Sequence, residues 1–212
     1  MEIFLDTANL EEISLYGAFI DGITTNPTIM SKYAHNEHYS LIRKICEMVR
    51  GPVSVEVNSE DFEGMTQEGK KFAAISNKIC VKLPCTFDGF MASKELSSRG
   101  IPTNLTLCFS PTQALIAAKC GATYVSPFVG RLEDAGQDGI TLLEEIAEIY
   151  QANEYDTKIL AASIRNVNHV IKAATIGVGA ITLSSSIMQQ CLEHPLTQKG
   201  MEIFALSWEN RK

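Results

Sequence analysis

Eight short runs of β-forming residues recur along the chain, and between them the apolar residues switch to helical spacing. The runs are Ile3–Leu5, Gly22–Thr24, Val53–Val57, Ile79–Leu83, Thr103–Leu107, Tyr124–Ser126, Lys158–Ala162 and Ala180–Leu183. Amphipathic stretches lie between them: Tyr39–Val49, Met65–Ser76, Phe87–Ser98, Pro111–Lys119, Ile140–Tyr150 and Val167–Thr175, apolar at helical positions with charges interspersed. Strands that alternate with helices run parallel, because each helix carries the chain back to the start of the next strand. Eight such units predict a closed (β/α)8 barrel, the TIM-barrel form of an α/β fold. At 212 residues the chain has the size of one such barrel, so 1–212 reads as a single domain and 195–212 as a C-terminal helix. The competing architecture is a doubly wound open sheet. Its nucleotide-binding form carries G-x-G-x-x-G after the first strand, and this chain has no such motif there. Gly177-Val178-Gly179 precedes the last run and suits a tight turn.

Charge narrows the partners. Eighteen Lys and Arg against 25 Asp and Glu leave a formal charge of −7, with no basic stripe to neutralise a polyphosphate backbone. A nucleic-acid partner is therefore not expected, whereas a small anion needs only two or three placed cations. No apolar run has the length of a membrane span. The opening Met-Glu-Ile-Phe-Leu-Asp has neither the basic nor the long apolar region of a secretory leader. The six cysteines show no C-x-x-C pairing. Reduced thiols in a cytoplasmic protein, with no membrane partner, are the resulting expectation.

In a barrel of this kind chemistry sits where strands end, in the loops that follow. Nearly every run here ends on polar residues: Asp6, Thr24-Thr25-Asn26, Glu56, Lys82, Asn104 with Thr106, Ser126, Ser163 and Ser184–Ser186. Lys82 stands in the otherwise apolar Ile79-Cys80-Val81-Lys82-Leu83-Pro84. Desolvation there would favour a free amine able to attack a carbonyl; a lysine reaching from the strand end to solvent is the plain alternative. Asp6 and Glu56 offer two carboxylates that could flank it and divide proton transfer between them. Read singly, Asp6 also suits a helix N-cap, and Glu56 an outward-facing edge position. The Asn26 amide could hold a hydroxyl. Arg131, expected in a loop after the sixth run, and Ser163 with Arg165 after the seventh, form a set suited to phosphate, with surface ion pairing as the alternative. His35 and His38 have the spacing of metal ligands but lack a third, and His169 and His194 have no evident partner.

Taken in order, several segments resemble one family. They are Phe4-Leu5-Asp6-Thr7-Ala8, Gly22-Ile23-Thr24-Thr25-Asn26-Pro27-Thr28, Val81-Lys82-Leu83-Pro84, Thr103 to Ser110, Tyr124 to Arg131, and Ala162-Ser163-Ile164-Arg165. The chain resembles the small transaldolases, in the branch that also holds fructose-6-phosphate aldolase, over essentially its whole length. The resemblance implies a metal-free, cofactor-free barrel enzyme in which Lys82 forms a Schiff base. Asp6 would handle the C4-hydroxyl proton during C–C cleavage, and Glu56 would work through a water held by Thr106. Thr25, Asn26, Asn104, Ser126 and Phe128 would contact the sugar, and Arg131, Ser163 and Arg165 its phosphate. The implied reaction moves a dihydroxyacetone unit from sedoheptulose 7-phosphate to glyceraldehyde 3-phosphate, within the pentose phosphate pathway. Glu56 and Phe128 stand where the aldolase members carry Gln and Tyr, which points to the transaldolase side. Cys85, where Met or Val is expected, and the loop 132–139 depart from the pattern in detail. Relatives of this size form homopentamers or homodecamers, in which the C-terminal segment packs on a neighbouring subunit.

Overall fold

A computed structural model describes residues 1–34 and 37–209. Eight parallel strands close into a barrel in chain order: β1 (Glu2–Asp6), β2 (Gly22–Thr24), β3 (Val53–Glu56), β4 (Ile79–Pro84), β5 (Thr103–Cys108), β6 (Tyr124–Pro127), β7 (Lys158–Ala161) and β8 (Ala180–Leu183). The ring closes between β1 and β8, with Glu2 opposite Ala180 and Phe4 opposite Thr182. The helices are α1 (Leu10–Tyr16), α2 (Pro27–Tyr33), α3 (His38–Met48), α4 (Phe62–Ala73), α5 (Phe87–Ser98), α6 (Pro111–Lys119), α7 (Val129–Asp134), α8 (Gly139–Ala152), α9 (Val167–Ile176), α10 (Ser185–Leu192) and α11 (Pro195–Glu209). The closed sheet excludes the open one. No helix among the described residues is long and apolar enough to cross a membrane.

Besides the C-terminal helix, four helices lie outside the periodic stretches. α1 and α2 have 7 residues each, α7 has 6 and α10 has 8. Pieces so short give little periodicity to read. α2 and α10 form because the residue before each is set up for it, whereas Phe128 before α7 makes no side-chain cap. Asn26 and Ser184 accept the N–H of Ile29 and Ile187 as N-caps, and Pro27 opens α2 at the position where its missing N–H costs nothing. Asn9, Asp61, Thr86, Ser110, Asp138 and Asn166 cap α1, α4, α5, α6, α8 and α9 in the same way. It is Asn9, not Asp6, that starts α1, and this leaves the Asp6 carboxylate for other work.

Strand alternation divides the apolar residues into two cores. Outward side chains such as Leu5, Ile23, Val55, Val81, Leu105, Val125, Ile159 and Ile181 form the large core between sheet and helices. Inward residues stack in layers drawn from alternate strands. At the lower end Phe4, Cys80, Tyr124, Leu160 and Ala180 form a separate apolar plug. Phe4 and Tyr124 meet edge to face, with centroids 5.6 Å apart. Gly22 has to be a glycine, since a Cβ there would stand 2.6 Å from the Phe4 ring and from the Pro52 carbonyl. Two residues further along each strand the alternation returns inward, now as Asp6, Thr24, Lys82, Thr106, Ser126, Ala162 and Thr182. The barrel interior thus turns from apolar to polar within one repeat of the strand.

α11 differs from the rest. None of its 15 residues is buried, and Leu196, Met201, Ile203, Phe204 and Leu206 are all exposed.

Candidate active site

The polar layers open into a cavity of about 430 Å³ at the C-terminal ends of the strands. Lys82 enters it from β4 and is only 5% exposed. Its ammonium lies 3.0 Å from Glu56 Oε2 and donates to the Thr25 carbonyl at 3.0 Å. The ion pair follows from register, because Glu56 on β3 is the direct partner of Lys82 on β4. A buried ammonium of this kind is tolerable only when paired and hydrogen-bonded. Lys82 does not reach out to solvent, and Glu56 faces the lysine rather than an outer edge.

Asp6 lies across the cavity on β1. Thr24, its register partner on β2, donates to Asp6 Oδ1 at 2.8 Å. The Thr24 hydroxyl also lies 2.6 Å from that of Thr182 on β8. Burial pushes the Asp6 carboxyl above its ordinary range; the Lys82 charge and the Thr24 hydrogen bond pull it back, and the Glu56 charge adds to the rise.

Asn104 on β5 lies beneath the cavity and does not line it. Its amide nitrogen donates to Ser54 Oγ at 3.2 Å, and its carbonyl accepts from Ser126 at 2.8 Å. With its proton spent on Asn104, the Ser126 hydroxyl presents lone pairs to the cavity. Thr25 also faces away: its hydroxyl donates to the Ser54 carbonyl, and its own carbonyl holds Lys82. Asn26 combines two tasks. Its Oδ1 caps α2, which turns its amide nitrogen to the cavity it lines. Thr106 Oγ1 is buried on the cavity wall with no hydrogen-bond partner among the described residues, so its bonding capacity is directed at whatever the cavity takes in.

The opposite wall is cationic. Arg131, Ser163 and Arg165 line one side together. Arg131 stands on α7 rather than in a loop, because the chain turns helical directly after β6. Ser163 adopts a left-handed backbone, φ 58°, and its hydroxyl accepts the Arg131 N–H at 3.1 Å while its carbonyl accepts the Gly130 N–H at 2.8 Å. This crossing needs Gly130, since a Cβ there would lie 2.4 Å from Arg165 Cγ. The Arg131 guanidinium covers the Phe128 ring at 4.9 Å, and Phe128 meets Phe109 edge to face. Arg165 reaches Asp134 at 2.9 Å. His169 does have a partner: Glu133 lies 3.2 Å from its Nε2, and its Nδ1 accepts the Arg165 N–H. Of the His35 and His38 pair, His35 lies outside the described residues.

The sequence assigned no role to Thr182, Ser184 or Ser186, yet all three line the cavity. Thr182 reads as an ordinary strand residue. Strand alternation would have found it, since it lies on the inner face two residues beyond Ala180.

The family model for transaldolase and fructose-6-phosphate aldolase matches residues 3–211. The chain belongs to that family. Individual relatives agree along their whole length. A protein from Nitrosopumilus maritimus named "Probable transaldolase" is 49% identical over 215 residues, covering 100% of this chain and 96% of that one. Counterparts of the same name from Desulforapulum autotrophicum and Aquifex aeolicus are each 48% identical, covering 100% and 99% of this chain and 99% and 97% of theirs. Among solved structures the barrel is similar to an orotidine 5'-monophosphate decarboxylase from Metallosphaera sedula. That match has a TM-score of 0.64 over 96% of each chain at 13% identity, a likeness of fold alone. Membership of the transaldolase family makes this chain an enzyme.

Proposed function

We propose that this member of the family is a transaldolase working through a Schiff base on Lys82. It would carry a dihydroxyacetone unit from sedoheptulose 7-phosphate to glyceraldehyde 3-phosphate and yield erythrose 4-phosphate and fructose 6-phosphate, a step of the pentose phosphate pathway in the cytoplasm. The observation that carries the reading is Lys82 itself, a buried amine on a cavity wall, 3.0 Å from one carboxylate and sharing the cavity with a second.

The lysine must lose a proton before it can attack, and Glu56 is the nearest acceptor. The amine then adds to the donor's C2 ketone, and loss of water leaves an iminium. Asp6 takes the C4-hydroxyl proton as the C3–C4 bond breaks. The aldehyde departs, and the bonding pair remains on the bound three-carbon unit as an enamine. Addition of that carbon to the acceptor aldehyde reverses the step, with Asp6 returning the proton. A carboxyl raised by burial is suited to holding a proton between the two halves. Thr106, with its unengaged hydroxyl, would position the water used in forming and hydrolysing the imine. Asn26 and Ser126 would hold sugar hydroxyls, while Thr25 and Asn104 would act from behind, by fixing Lys82 and Ser126. Arg131, Ser163 and Arg165 would take the phosphate. Phe128 puts no hydroxyl at its position, which favours retention of the dihydroxyacetone unit for transfer over its release. The exposed apolar residues of α11 suit a segment that packs on a neighbouring subunit in a pentamer or decamer.

The test is to incubate the protein with fructose 6-phosphate and no acceptor, reduce with borohydride, and map the adduct by peptide mass spectrometry. Free dihydroxyacetone is assayed in the same sample. An adduct on Lys82 with little free dihydroxyacetone is expected. Steady release would make the protein an aldolase, and no adduct would leave a barrel that binds phosphosugars without turning them over.

A further inference from the structure

The three-residue contact beside Asp6 joins strands that are neighbours around the ring: Thr182 on β8, Asp6 on β1 and Thr24 on β2. Thr24 and Thr182 are 2% and 6% exposed, so water does little to satisfy either hydroxyl. An ionised carboxylate only accepts hydrogen bonds, so the single proton of Thr24 goes to Asp6 Oδ1. The 2.6 Å contact with Thr182 must then be donated by Thr182. The direction of the whole chain is fixed: Thr182 to Thr24, Thr24 to Asp6. A hydroxyl that accepts one hydrogen bond donates a stronger one, so the outer link reinforces the inner.

We propose that Thr182 is a positioning residue for Asp6, acting through Thr24 to hold Oδ1 as a hydrogen-bonded, charge-bearing oxygen and to leave Oδ2 as the oxygen that exchanges protons. The inference rests on the transaldolase reading only for what Oδ2 exchanges them with. The hydroxyl chain itself is independent of the reaction. The other charged groups around Asp6 are Lys82 on β4 and Glu56 on β3. Glu12 on α1 and Lys32 on α2 border the adjoining hollow that Asp6 shares. None of these is altered by changing Thr182. Burial works against the ionised form of Asp6, and the hydroxyl chain works for it, so breaking the outer link should make the carboxyl harder to ionise.

The experiment follows the Asp6 carboxyl directly, by the pH dependence of its side-chain carbon signal in protein labelled with 13C-aspartate, Asp6→Asn supplying the assignment. It compares the wild type with Thr182→Val, Thr182→Ser, Thr24→Val and the Thr24→Val/Thr182→Val double variant. Thr182→Val keeps the shape and removes the hydroxyl. It is expected to raise the Asp6 midpoint by about one pH unit, a tenfold fall in the ionised fraction below that midpoint. Thr182→Ser should restore the wild-type midpoint. The double variant should titrate like Thr24→Val alone, because Thr182 acts only through Thr24. In the cleavage reaction the acid limb of the kcat profile should move with the midpoint while KM stays put. An Asp6 midpoint unchanged by Thr182→Val, or shifted equally with and without Thr24, overturns the proposal. Because the carbon signal needs no turnover, absence of a Lys82 adduct in the trapping test would remove the transaldolase reading and leave this measurement decisive.

Discussion

The two ends of the barrel interior are built by the same strands and differ in nearly everything else. Phe4, Cys80, Tyr124, Leu160 and Ala180 at the lower end pack against one another and contribute burial. One inward repeat higher, Asp6, Lys82, Ser126, Ala162 and Thr182 surround open space. At the lower end the side chains meet mostly carbon, and the Tyr124 hydroxyl reaches out, to donate to Glu2 at 2.9 Å. At the upper end each polar group is satisfied by a named partner: Lys82 by Glu56 and Thr25, Asp6 by Thr24, Ser126 by Asn104. Thr106 is the exception within the described residues. Folding free energy is therefore concentrated in the plug and in the outer core, while the upper layers carry buried charge that folding would be better off without. The apolar plug and the candidate site are separated along the barrel axis by about two residues of strand.

The sharpest way to break that separation is at Lys82. Lys82→Met should cost on the order of 10⁴-fold or more in kcat/KM, the scale of deleting a nucleophile, and abolish the borohydride-trapped adduct. Thermal melting should show the fold intact. Full activity in this variant would mean that the upper layer holds another nucleophile. Phe4→Ala tests the other end. It should cost about 3–5 kcal/mol of stability in denaturant unfolding, while kcat of the folded fraction stays near wild type. A large fall in kcat would show that the plug and the site are mechanically coupled.

Effects at the cationic wall should be smaller and confined to binding. Arg131→Ala is expected to raise KM for phosphorylated substrates roughly 10- to 100-fold, the range for losing a charge-assisted hydrogen bond, with kcat little changed. Steady-state kinetics with a phosphorylated and an unphosphorylated acceptor would check it, and equal losses on both would take Arg131 out of phosphate binding.

The smallest effect concerns the cost of keeping a carboxylate in the upper layer. Burial raises the folded-state pKa of Asp6 above its ordinary 3.8. A raised carboxyl favours the folded state fully below the unfolded value, and that advantage is lost as pH rises through the folded value. Asp6→Asn keeps an acceptor for Thr24 and has no charge to desolvate. Its melting temperature should exceed the wild type's by a few degrees at pH 7, with the gain shrinking as pH falls towards 3.8. Unchanged stability across that range would mean that the Lys82 attraction fully offsets the burial of Asp6.

Much of this was legible in the sequence. The eight strand runs lie within a residue or so of the strands observed, and Phe87–Ser98 and Pro111–Lys119 match α5 and α6 end to end. They were readable because each long element repeats one period often enough to register. α2, α7 and α10 were not, since 6 to 8 residues hold too few turns. Among the site residues, Lys82 announced itself as a charge in an apolar strand. Thr182 did not, because threonine is a common strand residue and only the closed ring brings it to Thr24, 158 positions away.

Local chemistry, then, was determined by sequence alone: which segments are strands, where the long helices run, and which polar groups end most strands. Whether a group faces a cavity, a neighbour or solvent was decided only when β1 met β8. Thr25, just past β2, and Asn104, near the start of β5, illustrate the point, being polar and turned to hold other residues rather than the cavity. The physical reason is that periodicity is set by the backbone within a strand, whereas register and closure depend on pairings between residues far apart in the chain.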